Sequence, residues 1–143
     1  MDYQKILILH AAVTWFMTGL IWEIQFVQYP LFTKIAPQNF LVFHAAYVRR
    51  IGRVVGLVMP VELGLACGLI WMRDPACEFW TWLGLVMLVL IWVSTLVLQA
   101  PLHGQLAREG YKADIIERLV RSNWVRTLLW TARALIAMRL FEL

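Results

Sequence analysis

Charge is what this chain has least of: Asp, Glu, Lys and Arg make up 15% of its 143 residues, against about 25% in ordinary soluble domains. With 62% hydrophobic residues and a mean hydropathy of +0.69, this composition excludes a disordered tail and a cytosolic enzyme, whose apolar share runs at roughly 45 to 50%. Cysteine is nearly absent. Cys67 and Cys77 form no CxxC and have no histidines beside them, which excludes a disulfide scaffold and gives no support to a zinc or redox centre. No ExxH or HExxH occurs, so a di-iron or zinc centre of familiar type is unsupported.

What is present is long apolar runs. A membrane crossing takes about 20 mostly apolar residues, and four stretches qualify: 6–29, 52–71, 79–99 and 124–143. The expected fold is therefore all-α, a four-helix transmembrane bundle forming one integral membrane domain over 1–143. The first stretch exceeds a signal-peptide core and runs on through Glu23 and Gln25 without a small-residue cleavage site. It is expected to remain in the mature protein.

The basic residues mark topology rather than nucleic-acid binding. Lys34, Arg49, Arg50, Arg53, Arg108, Lys112, Arg118, Arg121 and Arg126 fall on one side, while Lys5, Arg73 and Arg139 fall on the other. Nine against three predicts that the first group is cytoplasmic and both termini are outside, in a bacterial inner membrane. Trp71, Trp80 and Trp82 at the outer turn, and Tyr29, Tyr47 and Trp124 at the inner boundary, fit aromatic belts. Asn39 to Arg50 and Ala113 to Ser122 carry apolar residues at helical spacing and read as short interfacial helices or as extensions of spans two and four. Gly110 is expected to break the chain before the second of these. No internal repeat is apparent.

Ionisable residues inside apolar spans point to function. At about 1.5 Å rise per residue, Glu62 and Arg133 both lie within roughly 1 Å of the midplane, with Glu23 about 8 Å and Arg126 about 11 Å toward the cytoplasm. This predicts two intramembrane charge pairs, Glu62 with Arg133 and Glu23 with Arg126. Alternatively one acid carries protons or binds a ligand. His10, Thr14, Thr18, Gln25 and Gln28 form a polar stripe on the first span at helical angles, and His10 is a candidate axial haem ligand. At the inner boundary Gln99, Pro101 and His103 end the third span, and His44, Gln25, Asn123 and Arg126 lie on the same side. Span two carries Gly52, Gly56, Pro60, Gly64 and Gly68 at every fourth position, a seam that admits another helix.

The stretches YPLF at 29–32, FHAAYVRRIGRVVGLVMPVEL at 43–63, and QAPLHGQL followed by LVRSNWVRT together resemble a bacterial family of small four-helix membrane proteins without assigned function. With Asn123 and Arg126 opening span four, the chain also resembles, distantly, the anthrone-oxygenase-like proteins. His10, Trp15, Phe16, Gly19 and Leu20 give a weaker likeness to the haem-binding four-helix protoporphyrinogen oxidases, from which this chain differs in having no lysine in its third span.

These resemblances imply a redox or oxygenase-type enzyme acting on a lipid-soluble aromatic or quinone-like substrate. His103, Arg126, Gln99 and Asn123 are the catalytic candidates, with His103 as general base or ligand and Arg126 holding an oxyanion or semiquinone. His10 and His44 are the cofactor-binding candidates, for haem b or a quinone. The competing expectation is a non-enzymatic accessory subunit of a larger membrane complex, or a small carrier using Glu62 and Arg133. Expected partners are the lipid bilayer and a second copy or a larger membrane complex, with no nucleic acid.

Overall fold

The computed structural model describes residues 2–72 and 75–143. Arg73, counted above on the outer side, lies outside them. Among the described residues the chain is almost entirely helical and forms four antiparallel helices: α1 (Tyr3–Lys34), α2 (Pro37–Trp71), α3 (Glu78–Glu109) and α4 (Ala113–Arg139). The first three are long and apolar enough to cross a membrane.

Local chemistry explains the boundaries. Asp2 caps α1 by accepting from the Lys5 N–H at 2.9 Å. Pro37 opens α2 at a position where its missing N–H costs nothing. Gly110 ends α3 with φ 77° and ψ −148°, a conformation reserved for glycine. The expected break is there. Gly110→Ala should destabilise the protein by about 1 to 3 kcal/mol through backbone strain alone, since a Cβ would meet Leu41 only at ordinary contact distance, 3.7 Å. Thermal unfolding in mild detergent measures this; an unchanged midpoint would show that the turn tolerates a side chain.

The helices overrun the apolar stretches at the basic end of the bundle, where α1 and α3 finish and α2 and α4 begin. Asn39 to Arg50 and Ala113 to Ser122 are not separate interfacial helices but the first turns of α2 and α4. No proline interrupts either segment, and Phe40, His44, Ile115, Ile116 and Leu119 are buried there, so the bundle's packing continues through them.

Helix α4 is the innermost, packing chiefly on α1 and α3. Its buried positions Ile116, Leu119, Asn123, Arg126, Trp130, Arg133 and Ala137 alternate three and four apart, the spacing of a coiled-coil seam. The middle of that seam is polar. The opposite face shows Val125, Leu128, Leu135 and Met138 to the outside. Interhelical hydrogen bonds tie α1 to this seam: Thr18 Oγ1 donates to the Trp130 carbonyl at 3.1 Å, and Trp22 Nε1 to Thr131 Oγ1 at 3.0 Å.

Two π-helical turns interrupt α1 at Ile24–Gln28 and α3 at Thr95–Gln99. Each ends on the first residue of a Gln-x-Pro-Leu run, Gln28 to Leu31 and Gln99 to Leu102, a short sequence repeat that the structure ties to both turns. Proline offers no N–H to the preceding turn and its ring crowds the carbonyl four residues back; a widened turn relieves both. Each turn accommodates one extra residue and so rotates the rest of its helix by about a third of a turn. In α3 this turns Leu98 outward and Gln99 inward; in α1 it turns Gln28 away and Tyr29 inward.

Candidate functional site

The polar residues of the buried seam sort into two centres. The first is a closed ion pair. Arg133 Nη2 lies 3.0 Å from Glu62 Oε1, with the two side chains 1% and 0% exposed. Glu62 also accepts from Thr14 Oγ1 at 3.1 Å and from Trp130 Nε1 at 3.2 Å. Arg133 donates to the Gly84 carbonyl and approaches His10 Nε2 at 3.4 Å. The depth-matched pair read from the sequence is therefore formed, and four helices contribute to it. Both carboxylate oxygens are engaged, while Arg133 Nε and His10 Nδ1 are buried without a partner among the described residues.

His10 does not fit a haem. Its Nε2 faces the Arg133 guanidinium, a cation where iron would have to sit, and the space beside it, shared with Gly84 and Leu140, is about 10 Å³. The second expected pair is also absent: Glu23 is exposed and accepts from Gln28, while Arg126 points inward. Matching depth did not suffice, because Glu23 lies on the outer face of α1.

The second centre lies between the π-helical turns and the seam, and it is open. A cleft of about 590 Å³ separates α2 from α3, walled by Ile24, Val48, Ile51, Val55 and the small residues Ala45, Gly52, Ala100 and Gly104. This falls within the roughly 300 to 1,000 Å³ usual for small-molecule sites. Tyr29, His44, Tyr47, Gln99, His103 and Arg126 are among its polar lining.

These groups form a continuous row. His44 Nε2 is 3.0 Å from His103 Nδ1, and His103 Nε2 is 3.0 Å from the Tyr29 hydroxyl. Arg126 Nη2 donates to that hydroxyl at 3.1 Å, and Arg126 Nε donates to Asn123 Oδ1 at 3.0 Å. Asn123 Nδ2 then donates to Gln25 Oε1 at 2.8 Å, and Gln25 Nε2 to the Val120 carbonyl at 3.2 Å. The row joins all four helices. Ring contacts hold the imidazoles in place, His44 against His103 at 5.3 Å and Phe40 at 5.6 Å, with Tyr47 at 6.2 Å from His103.

Since an arginine is always a donor, Tyr29 oxygen accepts from Arg126. Two proton arrangements complete the row. Either Tyr29 donates to His103 Nε2 and His103 Nδ1–H donates to His44, or each of these bonds runs the other way. Shifting between them moves a proton's worth of charge along the row with little movement of heavy atoms. Among the histidines, tyrosines and arginine that line the cleft, three atoms have hydrogen-bonding capacity and no partner among the described residues: Arg126 Nη1, His44 Nδ1 and the buried Tyr47 hydroxyl.

Of the sequence candidates, His44, His103, Asn123 and Arg126 thus meet in one network. Gln99 lines the same cleft but bonds elsewhere, donating to the Ser122 carbonyl at 3.2 Å and accepting from Ser94 Oγ at 3.2 Å. The facing nitrogens of His44 and His103 are bonded to one another, and no group of three His, Cys, Asp or Glu that could hold a metal ion converges among the described residues. Sequence reasoning assigned Tyr29 and Tyr47 only to an aromatic belt; Tyr29 comes four residues after Gln25, and that spacing was the available signal for it.

Comparison with protein-family models, with curated proteins and with solved structures finds no match to this chain.

Proposed function

We propose that the chain is an integral membrane protein of four crossings, basic end in the cytoplasm, which binds a lipid-soluble aromatic or quinone-like molecule in the α2–α3 cleft and carries out acid–base chemistry on it as part of a redox or oxygenase-type reaction. Its inside-out arrangement supports the membrane reading. Polar side chains are buried at the centre, whereas Phe26, Leu57, Leu96, Leu128 and Leu135 are 59 to 69% exposed around the outside. Water would penalise so large an apolar surface; hydrocarbon would not. Helix α4 joins the crossings on this view because Arg126 and Arg133 face inward.

The observation that carries the functional reading is the hydrogen-bonded row opening on an apolar cleft. A ring entering from lipid would place a phenolic or carbonyl oxygen at Arg126 Nη1, which stabilises the anion that forms. His103, expected as the group that meets the substrate, has both ring nitrogens engaged, so His44 takes the proton at Nδ1 and passes one on to His103. For an anthrone-like ring the deprotonated form is the electron-rich one that dioxygen oxidises, the ring CH2 becoming a carbonyl with one oxygen atom of dioxygen while the other leaves as water; a quinone is the oxidised form of such a ring and would occupy the cleft as product.

Native mass spectrometry of the protein in mild detergent, with a short-chain ubiquinone and with anthrone as probes, tests this. One of the two should give a stoichiometric adduct, and Gly104→Leu, which fills the cleft, should abolish it while the protein stays folded. No adduct with either probe, or an adduct indifferent to Gly104→Leu, would remove the basis of the proposal. A second reading, an accessory subunit, is favoured by the glycine seam: Gly52 and Gly56 are exposed, and together with Gly64 they have nothing within 4 Å of a built Cβ. Co-migration with a larger partner on a native gel would select it.

A further inference from the structure

We infer that the chain carries a second binding site, for the headgroup of an anionic phospholipid, in the cleft between α3 and α4 at the basic end of the bundle. This cleft, of about 440 Å³, is lined by Val97, Leu98, Pro101, Leu102 and Gln105 of α3 and by Arg118, Arg121 and Ser122 of α4. It is separate from the first cleft, with Gln99 between them: Gln99 lines the α2–α3 cleft and bonds to Ser122, which lines this one.

Three features match a lipid. The first is unspent positive charge. Arg118 and Arg121 lie three apart on one face of α4, and among the described residues neither takes part in an ion pair or side-chain hydrogen bond, although Asp114 lies one turn below Arg118. The second is a further free donor, the half-buried Gln105 amide, which suits a phosphate oxygen. The third is the order of chemistry along the helices. On α4 the face that begins with Arg118 and Arg121 continues with the exposed Val125 and Leu128, and on α3 the wall above Pro101 is Leu98 and Val97. Ionic groups at one end and hydrocarbon at the other complement an amphiphile, headgroup on the arginines and acyl chain along Val97 and Val125. Basic pockets between transmembrane helices at the cytoplasmic side bind anionic headgroups on the same principle.

The inference rests on the membrane reading above but not on the aromatic substrate. Carbonate extraction of membranes tests insertion by itself. For the site, the full-length protein in mild detergent is titrated with phosphatidylglycerol, phosphatidylcholine and inorganic phosphate, and adducts are read by native mass spectrometry. Phosphatidylglycerol should be retained well above phosphatidylcholine. Arg118→Gln with Arg121→Gln should weaken it roughly fivefold per arginine, about twenty-fivefold together, while Lys34→Gln with Arg53→Gln, equal in charge removed, should leave it within about twofold. The exposed positions of all four allow folding to continue, which the thermal midpoint checks. Equal retention of both lipids, equal loss in the two double variants, or inorganic phosphate displacing the lipid at matched concentration would each overturn the proposal, the last by showing an anion site with no requirement for the lipid tail.

Discussion

Arg133→Ala should cost about 3 to 5 kcal/mol of stability, the usual consequence of removing one partner from a buried ion pair. The variant leaves the Glu62 carboxylate at 0% exposure with only Thr14 and Trp130 as donors, and it strips the Gly84 carbonyl of its side-chain partner as well. Glu62→Gln should be nearly as damaging for the converse reason, since the guanidinium then has no counter-charge within the bundle's centre. The two positions changed together, Glu62→Gln with Arg133→Met, should recover much of the loss. The bond from Trp130 can persist on the amide oxygen, and the Thr14 hydroxyl, which faces the other oxygen, can turn to accept from the amide N–H, while the desolvation of both charges disappears. Thermal unfolding in detergent of the wild type, both singles and the double completes the cycle. Additive losses with no recovery would mean that the pair seen at 3.0 Å contributes through something other than mutual neutralisation.

The two polar centres differ in kind, and the difference assigns their roles. Around Glu62 and Arg133 both carboxylate oxygens and both terminal guanidinium nitrogens are bonded across all four helices, with only about 10 Å³ of space beside them, so the centre fixes how the helices sit. Around His103 the polar groups are bonded in a row that leaves Arg126 Nη1, His44 Nδ1 and the Tyr47 hydroxyl unengaged beside an apolar cleft. Only the second arrangement has room for a ligand, about 590 Å³ against about 10 Å³. Placing both on the α4 seam means that the closed centre holds the helix on which Asn123 and Arg126 of the open one are mounted.

Hydrophobic run length and charge placement are one-dimensional signals, and the features that depend on them were legible in the sequence. Four apolar stretches became four helices, and the equal depth of Glu62 and Arg133 became a contact because Glu62 shares the inner face of α2 with Met59, Ala66 and Leu69. Depth failed for Glu23 because facing was not considered; it lies two residues before Gln25, about 200° away around the helix. The haem reading of His10 failed because sequence shows that a span contains an imidazole but not that a guanidinium occupies the space in front of it. The π-helical turns escaped because an inserted residue leaves no mark in composition. Its consequence is that Gln28 leaves the polar stripe and Tyr29 enters it, and Tyr29 is the link between Arg126 and the two histidines. The Gln-x-Pro-Leu run shared by both turns is the trace that a repeat search tuned to short motifs would find.

Tyr29→Phe is consequently the sharpest probe of the open centre. It removes one oxygen and leaves the ring, which packs 5.6 Å from both Phe32 and His103. His103 Nε2 loses its partner and Arg126 Nη2 keeps only Asn123 Oδ1, for which a stability loss of about 1 to 3 kcal/mol is the usual scale. If the row moves protons, the functional loss should be larger than the structural one. Turnover of a bound probe, followed as anthrone oxidation by absorbance, should fall by about 10² to 10⁴, the range set by a lost acid–base group, while binding measured by native mass spectrometry stays within a few fold because the cleft walls are intact. His103→Gln should behave alike, since an amide can occupy the gap between Tyr29 and His44 but cannot exchange its proton as imidazole does. Tyr29→Phe and His103→Gln combined should then be little worse than either alone, as expected for members of one relay. Losses that multiply in the double variant, or turnover that survives Tyr29→Phe, would show that Tyr29 and His103 act as packing around the cleft and that proton transfer takes another route.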